Sequence, residues 1–481
     1  MADSHNLARL AERTFARLGD YESLWFEGAW HRSGDLLERA RRVAAGLTEL
    51  GVRPGDRVLV LASNSPEVPL LYNAVWRAGA VVTPVIFLTP RPELERIVES
   101  CEPRLVVASP ELGVEGALDI TGLPEAEPGP IVPRADDDLA ALLYTGGTTG
   151  RAKGVMLTHA NLWHAGKSGH DAGYRPEITR GLSALPLSHS YGLLVTAVGL
   201  HAEQRAVSVL MRWFEPQRFL ELAQEHRIQI TAVVPSMLQL LLAQPVEDYD
   251  LSELRYIVSG AAPLAPDVIA RLRERLPQVE VREGYGLTET SGLVSSNPPG
   301  RVRLGTVGLP VPGCELRVVD DADAELPEGE VGEICCRSPF VMSGYWRDHE
   351  LTGEAMREGW FHTGDLGSVD GDGYLTIVDR KKDLIIRGGF NVYPRDVEDA
   401  LLEHPSVELA GVVGRPDERH GEEVVAFVSL RRGGETTPAD LVAFAKARIG
   451  GYKYPREVRI VADVPLTPVG KVDRKSLRAM L

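Results

Sequence analysis

The chain is short of cysteine, of lysine and of long apolar runs, and each shortage closes a class of function. Four cysteines in 481 residues (Cys101, Cys314, Cys335 and Cys336) show no C-x-x-C spacing. Adjacent residues on a strand point to opposite faces, so reduced structural thiols are expected in place of a metal site. Apolar runs such as 192–200 fall far short of the ~20 residues a membrane-crossing helix needs, and 230–243 is interrupted by Pro235, so no span is predicted. The start, Met-Ala-Asp-Ser-His-Asn, lacks a basic region followed by an apolar one. No secretory signal is read there, and a cytoplasmic location is expected. Positive charge is outnumbered, 52 Lys and Arg against 68 Asp and Glu, for a formal charge of -16. Such a surface repels phosphate backbones and anionic lipid, which argues against a nucleic-acid partner. Only eight of the basic residues are lysine, at 153, 167, 381, 382, 446, 453, 471 and 475. Where lysine persists in an arginine-rich chain, a compact ammonium on a flexible stem becomes of interest.

What is present is alternation of helix and strand. The spacing predicts a helix over 33–50, with Ser33 as N-cap and Gly51 just past its end. Strand patterns follow at Arg57–Ala62, Ala80–Ile86 and Leu105–Ala108, with helices at Leu70–Ala78 and Pro92–Ser100, which reads as α/β with largely parallel sheets. Residues 121–137 read as a connecting loop. A second α/β stretch follows residue 154, in which Ser183–Leu187, Tyr191–Leu200, Ile230–Val234, Tyr256–Leu264 and Gly284–Thr290 mostly read as strands running into polar or Gly/Pro loops. Open α/β sheets place ligands at such strand ends. From about Gly305 short strands and tight turns predict a β-rich subdomain. The basic cluster Asp379-Arg-Lys-Lys-Asp383 separates it from a small α+β domain with helices at 394–402 and 439–449. The expected organisation is a large N-terminal domain, 1–381, and a C-terminal domain, 382–481.

The stretch Leu143-Tyr-Thr-Gly-Gly-Thr-Thr-Gly-Arg-Ala-Lys-Gly154 has the composition of a polyphosphate cradle: glycines turn successive N–H groups toward an anion, and threonine hydroxyls add donors. By itself it fits an ordinary surface turn as well. It is not a Walker A loop, because Lys153 follows Ala152 and precedes Gly154. Downstream stand Pro186-Leu-Ser-His189, Gly260-Ala-Ala-Pro263, Gly284-Tyr-Gly-Leu-Thr-Glu289, Gly359-Trp-Phe-His-Thr-Gly-Asp365 and Pro465-Leu-Thr-Pro-Val-Gly-Lys471. Read singly, Glu289 is a solvated carboxylate as readily as a ligand, 260–263 a core turn, Asp365 a turn cap, Arg380 a surface arginine, His189 a structural histidine and Lys471 a solvated charge.

In order and kind, these motifs resemble those of the ANL superfamily of adenylate-forming enzymes, which includes acyl-CoA synthetases, peptide-synthetase adenylation domains and luciferases. The resemblance runs from about residue 30 to the C-terminus. It implies in-line attack of a carboxylate on the α-phosphorus of ATP, expelling pyrophosphate, and then transfer of the acyl group to coenzyme A by a small C-terminal domain that is mobile. Both first-step reactants are anions, so charge must be neutralised. By resemblance Thr145, Gly146, Gly147, Thr148, Thr149 and Gly150 cradle phosphate, and Lys153 holds the loop or the pyrophosphate. Thr288 bonds phosphate and Glu289 ligates Mg²⁺, a cation that takes hard oxygen donors. Gly260, Ala261, Ala262 and Pro263 lie against adenine, on which Tyr285, followed by Gly286, stacks. Asp365 and Arg380 bind ribose. Lys471 bonds the carboxylate and α-phosphate, and Lys382 is the hinge that brings Gly388 and Gly389 to the pantetheine tunnel gated by His189.

No carboxylate stands in Leu187-Ser-His-Ser190 where an amino-acid-activating relative pairs its substrate's ammonium, which argues against amino acids. The stretches Tyr191–Gly199 and Val233–Met237 offer apolar walls for a hydrophobic tail, or simply core. Gly146 and Ala152, where the family usually has serine and proline, together with Val378–Asp383 and Gly389–Pro394, resemble bacterial medium- and long-chain fatty acyl-CoA synthetases. Ser259–Leu264 also resembles aryl acid ligases. A fatty acid is the first expectation and an aryl acid the second. An acyl carrier protein is the alternative acceptor, and a silent nucleotide- or acyl-binding relative the alternative without catalysis.

Overall fold

The computed structural model describes residues 5–146, 152–262, 264–467 and 471–481. The chain forms two compact units, one of Met1–Leu264, Val268–Leu316 and Cys336–Phe361, the other of Ala265–Asp267, Arg317–Cys335 and His362–Leu481. The division lies upstream of the 381/382 boundary read from the sequence. Leu375–Arg380 pairs with Trp360–Val369, and the helix Pro394–Leu402 touches it, which ties residues 362–381 to the C-terminal part.

The first unit holds two sheets. One has the order Gly344–Tyr345, Ala152–Thr158, Leu139–Gly146, Val81–Val85, Arg57–Leu61, Leu105–Ala108, Leu118–Asp119. The other runs Leu309–Pro310, Ser295–Ser296, Glu280–Tyr285, Tyr256–Ser259, Ile230–Val233, Arg180–Ser183, Val207–Leu210, Glu22–Phe26, Ala29–Arg32. Their interior strands are parallel, as the Val- and Ile-rich runs buried on both faces require. The core gathers Trp76, Tyr72, Leu47, Val58, Val60, Val82, Ala141 and Leu157.

The helix predicted from Ser33 spans Ser33–Glu49, yet Ser33 does not cap it. The Ser33 hydroxyl donates to the Gly19 carbonyl and accepts from the Tyr21 amide, while Asp20 receives the Gly34 amide at 2.9 Å. The cap comes from the preceding loop, out of reach of a local sequence rule. A helix at Leu7–Leu18, for which no expectation was formed, is capped by Asn6 and held by Glu12, which pairs with Arg41 at 2.6 Å and Arg77 at 2.5 Å. The stretch Tyr191–Leu200, grouped above with strand-and-loop segments, is the helix Ser190–Gly199; it packs on the helix His159–Gly173. Short strands recur through 305–380 as expected. The four cysteines are free thiols: Cys335 Sγ lies 3.3 Å from His362 Nδ1, while Cys336 faces the main apolar cluster. Among the described residues no helix is long and apolar enough to cross a membrane.

The paired helices are fastened at the end of Ser190–Gly199 by His201, whose Nε2 donates to the Trp163 carbonyl at 3.0 Å. Burial pushes this imidazole from its ordinary 6.5 down to about 4. The unfolded chain therefore takes up a proton that the folded one resists, so the neutral ring's contribution is whole above pH 6.5 and is lost as pH falls toward 4. The thermal midpoint should drop across that window and the drop should be shallower in His201→Gln, whereas identical pH profiles would contradict this account.

Candidate active site

Parallel strands finish level, and in the first unit that places the sequence motifs side by side. The register Val233↔Ser259 and Ser259↔Glu283 makes 260–262 and 284–286 neighbouring turns. A Cβ built on Gly260 would stand 3.6 Å from the Gly284 carbonyl oxygen and 3.5 Å from the Tyr191 ring. Ala261 and Ala262 are half-buried, Ala261 in left-handed backbone at φ 69°, and Tyr285 packs against the main apolar cluster with Gly286 beyond it. Small residues and an aromatic ring thus meet at one strand edge. Pro263, Gly147, Thr148, Thr149 and Gly150 lie outside the described residues.

The Gly/Thr stretch joins an antiparallel hairpin, Leu139–Gly146 against Ala152–Thr158, in which Thr145 pairs with Lys153 and Gly146 with Ala152. On its outer side Tyr345 pairs with Val155. Tyr345 Oη donates to Glu289 Oε1 at 2.9 Å, and Lys153 Nζ lies 5.4 Å from the centre of the same ring. Burial first, and then the Glu289 charge, push the Tyr345 phenol well above its ordinary range, so it serves as a donor. Tyr345 therefore joins the lysine of the hairpin to the carboxylate of the Thr288–Thr290 turn, and sequence reasoning missed it. Its only local signal is the Gly344-Tyr345 step within a two-residue strand. Thr288 Oγ1 donates to Ser190 Oγ at 3.3 Å, a second bridge absent from the motifs.

His189 precedes the helix Ser190–Gly199 and caps it, Nδ1 accepting the Tyr191 amide at 3.2 Å. In the neutral ring this leaves the proton on Nε2. One face of the helix, Tyr191, Leu194 and Val198, lies with Ala165, Leu293, Val311 and Phe340 in a separate apolar cluster.

In the second unit the hairpin register sets Asp365 opposite Arg380, with Arg380 Nε 3.2 Å from Asp365 Oδ1. The carboxylate is buried and the guanidinium half-exposed. Lys382 is exposed, between Lys381, which pairs with Glu333 and Asp321, and the buried Asp383, which receives Arg478 at 2.8 Å. Gly388 and Gly389, at φ 58° and 81°, are the two turn residues between Ile385–Arg387 and Phe390–Val392. A tight hairpin of this hand needs positive φ at both positions, so the turn itself demands glycine. Lys471 is bonded to Thr467: its amide donates to Thr467 Oγ1 at 3.1 Å and its carbonyl accepts the Thr467 amide at 2.7 Å. Three residues on, Arg474 grips Glu398 through both carboxylate oxygens at 2.7 and 2.8 Å.

A family model described as AMP-binding enzyme matches residues 11–346, and one described as AMP-binding enzyme C-terminal domain matches 396–471. The chain belongs to the AMP-binding enzyme family. It is an adenylate-forming enzyme of the acyl-CoA synthetase type. A feruloyl-CoA synthase from an Amycolatopsis species is 36% identical over 458 residues, 92% of each chain. A long-chain-fatty-acid–CoA ligase of Bacillus subtilis is 32% identical over 520 residues, 96% of this chain and 92% of that one. Among solved structures, ATP-bound MatB from Rhodopseudomonas palustris superposes with a TM-score of 0.89 at 34% identity over 98% of each chain.

A hydrogen bond to a charged group contributes roughly 1.5–3 kcal/mol to stability, so Tyr345→Phe should lower the thermal midpoint and, by releasing the Glu289 carboxylate, slow ATP–pyrophosphate exchange ~10-fold. Exchange at the wild-type rate would show that Glu289 needs no support from the phenol.

Proposed function

We propose that this enzyme is an ATP-dependent, AMP-forming acid–CoA ligase for a medium- or long-chain fatty acid. The observation that carries the reading is the segment 284–290, which lies beside the turn 260–262 through the Ser259↔Glu283 register, reaches Tyr345 and Lys153 of the other sheet through Glu289, and reaches the helix Ser190–Gly199 through Thr288. In the first step a carboxylate oxygen attacks the α-phosphorus of ATP and pyrophosphate leaves. In the second the thiol of coenzyme A attacks the acyl carbonyl and AMP leaves. Lys153 and Thr145, paired across the two strands, face the phosphates, and Thr288 adds a hydroxyl donor. Glu289, half-buried and with one oxygen on Tyr345, would hold Mg²⁺ through a hard oxygen. When bound, the ion neutralises charge on the departing pyrophosphate. The turns 260–262 and Tyr285 take adenine, and Asp365 with Arg380 takes the ribose hydroxyls, a carboxylate offering two acceptors to two donors.

Lys471 meets the charge shared by the carboxylate and α-phosphate as the bond forms. His189 gates the approach of the thiol, and Lys382 as hinge with Gly388 and Gly389 serves the second step. The apolar wall of buried Leu194 and Leu293 with partly buried Tyr191 and Val198 supports an apolar acid. An aryl acid is the second reading, favoured by the Tyr191 ring beside Gly260 and by the 36% identity to a feruloyl-CoA synthase.

A panel from acetate to palmitate with benzoate, cinnamate and ferulate, assayed by AMP release with coenzyme A, should give its highest kcat/KM among octanoate to palmitate. A maximum at ferulate would replace the fatty acid by the aryl acid, and release of AMP with thioester only after adding a carrier protein would replace coenzyme A as acceptor. Lys471→Ala should lose at least ~100-fold in pyrophosphate exchange while binding ATP nearly as before; undiminished exchange would remove Lys471 from the chemistry.

A further inference from the structure

Asn64, only 2% exposed, lies in the turn after the strand Arg57–Leu61, where the C-terminal end of that strand meets the segments that follow Arg180–Ser183 and Val207–Leu210 in the other sheet. Its Nδ2 donates to the Leu185 carbonyl at 2.8 Å and to the Met211 carbonyl at 3.0 Å, and its Oδ1 accepts the Leu187 amide at 2.8 Å. The fully buried Tyr72, on the helix Glu67–Arg77, donates from Oη to the Leu187 carbonyl at 3.2 Å. Both polar groups of Leu187 are therefore held by side chains from a different part of the chain, two residues before His189. The opposite side is closed by Gly192, where a Cβ would stand 2.2 Å from the Pro186 carbonyl oxygen and 2.6 Å from Leu187 Cα. The His189 amide donates to Pro186 O at 3.0 Å, and the Leu193 amide to His189 O at 2.9 Å.

With the backbone gripped in this way, the imidazole moves only through its own torsions, and only by giving up the bond that Nδ1 accepts from the Tyr191 amide at 3.2 Å. The arrangement also explains the residue type. Two carbonyls and one amide must be met at once, and among side chains of this size only a carboxamide carries both donors and an acceptor. An aspartate would turn a carboxylate oxygen on two carbonyls, and a buried donor or acceptor left unmade is costly.

We propose that Asn64 and Tyr72 are positioning residues for acyl transfer: they fix the backbone beneath His189 so that its ring swings on a stationary pivot. This rests on the reading of His189 as the group that gates the thiol. Small misplacements of a reacting geometry cost up to ~100-fold in rate, and loosening a support should cost part of that.

The test separates the half-reactions in the full-length enzyme. Tyr72→Phe, which keeps the ring packing, and Asn64→Asp, which keeps the Leu187 amide bond, are each measured for ATP–pyrophosphate exchange and for single-turnover transfer from preformed acyl-adenylate to coenzyme A. Transfer should slow by ~5- to 20-fold and exchange by less than ~2-fold. In a His189→Ala background neither substitution should slow transfer further, because the group they position is gone. If Asn64→Asp does not fold, Tyr72→Phe alone decides. Equal losses in both half-reactions, or the same loss in the His189→Ala background, would overturn the positioning role and leave the reading of His189 intact. Transfer at the wild-type rate in His189→Ala itself would overturn that reading and the proposal together.

Discussion

The level ending of parallel strands is the constraint on which the first unit depends. Parallel ladders carry evenly spaced hydrogen bonds, so the register that pairs Val233 with Ser259 and Ser259 with Glu283 also fixes where the following turns emerge. Residues far apart in sequence become neighbours because each continues a strand. Gly260 comes to face Gly284 and Tyr191 by this route, and Ala184–His189 continues the strand Arg180–Ser183 toward the same edge. The antiparallel pair of the other sheet supplies what a parallel ladder does not, two strands adjacent in sequence that carry Thr145 and Lys153 opposite one another.

Charge is handled unevenly along the chain. The formal charge of -16 is an odd setting for a reaction between two anions, and the resolution is local. Many arginines serve as structural forks: Arg41 on Glu12, Arg387 on Glu423, Arg474 on Glu398. A planar fork suits fixed carboxylates, while an ammonium on a long stem suits a ligand that arrives and leaves. Rarity alone does not single out a lysine, since Lys167, Lys381 and Lys453 lie in ion pairs. Lys153 and Lys471 are distinguished by place, one on the hairpin beside Tyr345 and the other bonded to Thr467 ahead of the helix Arg474–Ala479.

Much of the fold was legible because its signals are local. The strands Arg57–Leu61, Val81–Val85 and Leu105–Ala108 and the helices between them follow from burial pattern and punctuation, as does the α+β texture after Asp383. Where expectation failed, the deciding contact was distant. Ser33 has the chemistry of a cap, but Asp20 reaches the helix start first. Tyr191–Leu200 is apolar on nearly every side, so its period is weak, and packing on His159–Gly173 settles it as helix. The helix Leu7–Leu18 had a readable cap in Asn6, and its anchor, Glu12 on Arg41 and Arg77, lies in other elements.

The sequence by itself determined the family and nominated the groups proposed for the chemistry, because ordered motifs record residue type and spacing. Its domain boundary differs from the compact units, which follow strand pairing across Asp365–Arg380 in place of the charge cluster at 379–383. Only the tertiary structure decided what holds those groups. Tyr345 on Glu289, Ser190 beside Thr288, and Asn64 with Tyr72 on Leu187 leave no periodicity and no motif. The physical reason is that a hydrogen bond between side chains far apart in sequence depends on three-dimensional register, which no window of neighbouring residues contains.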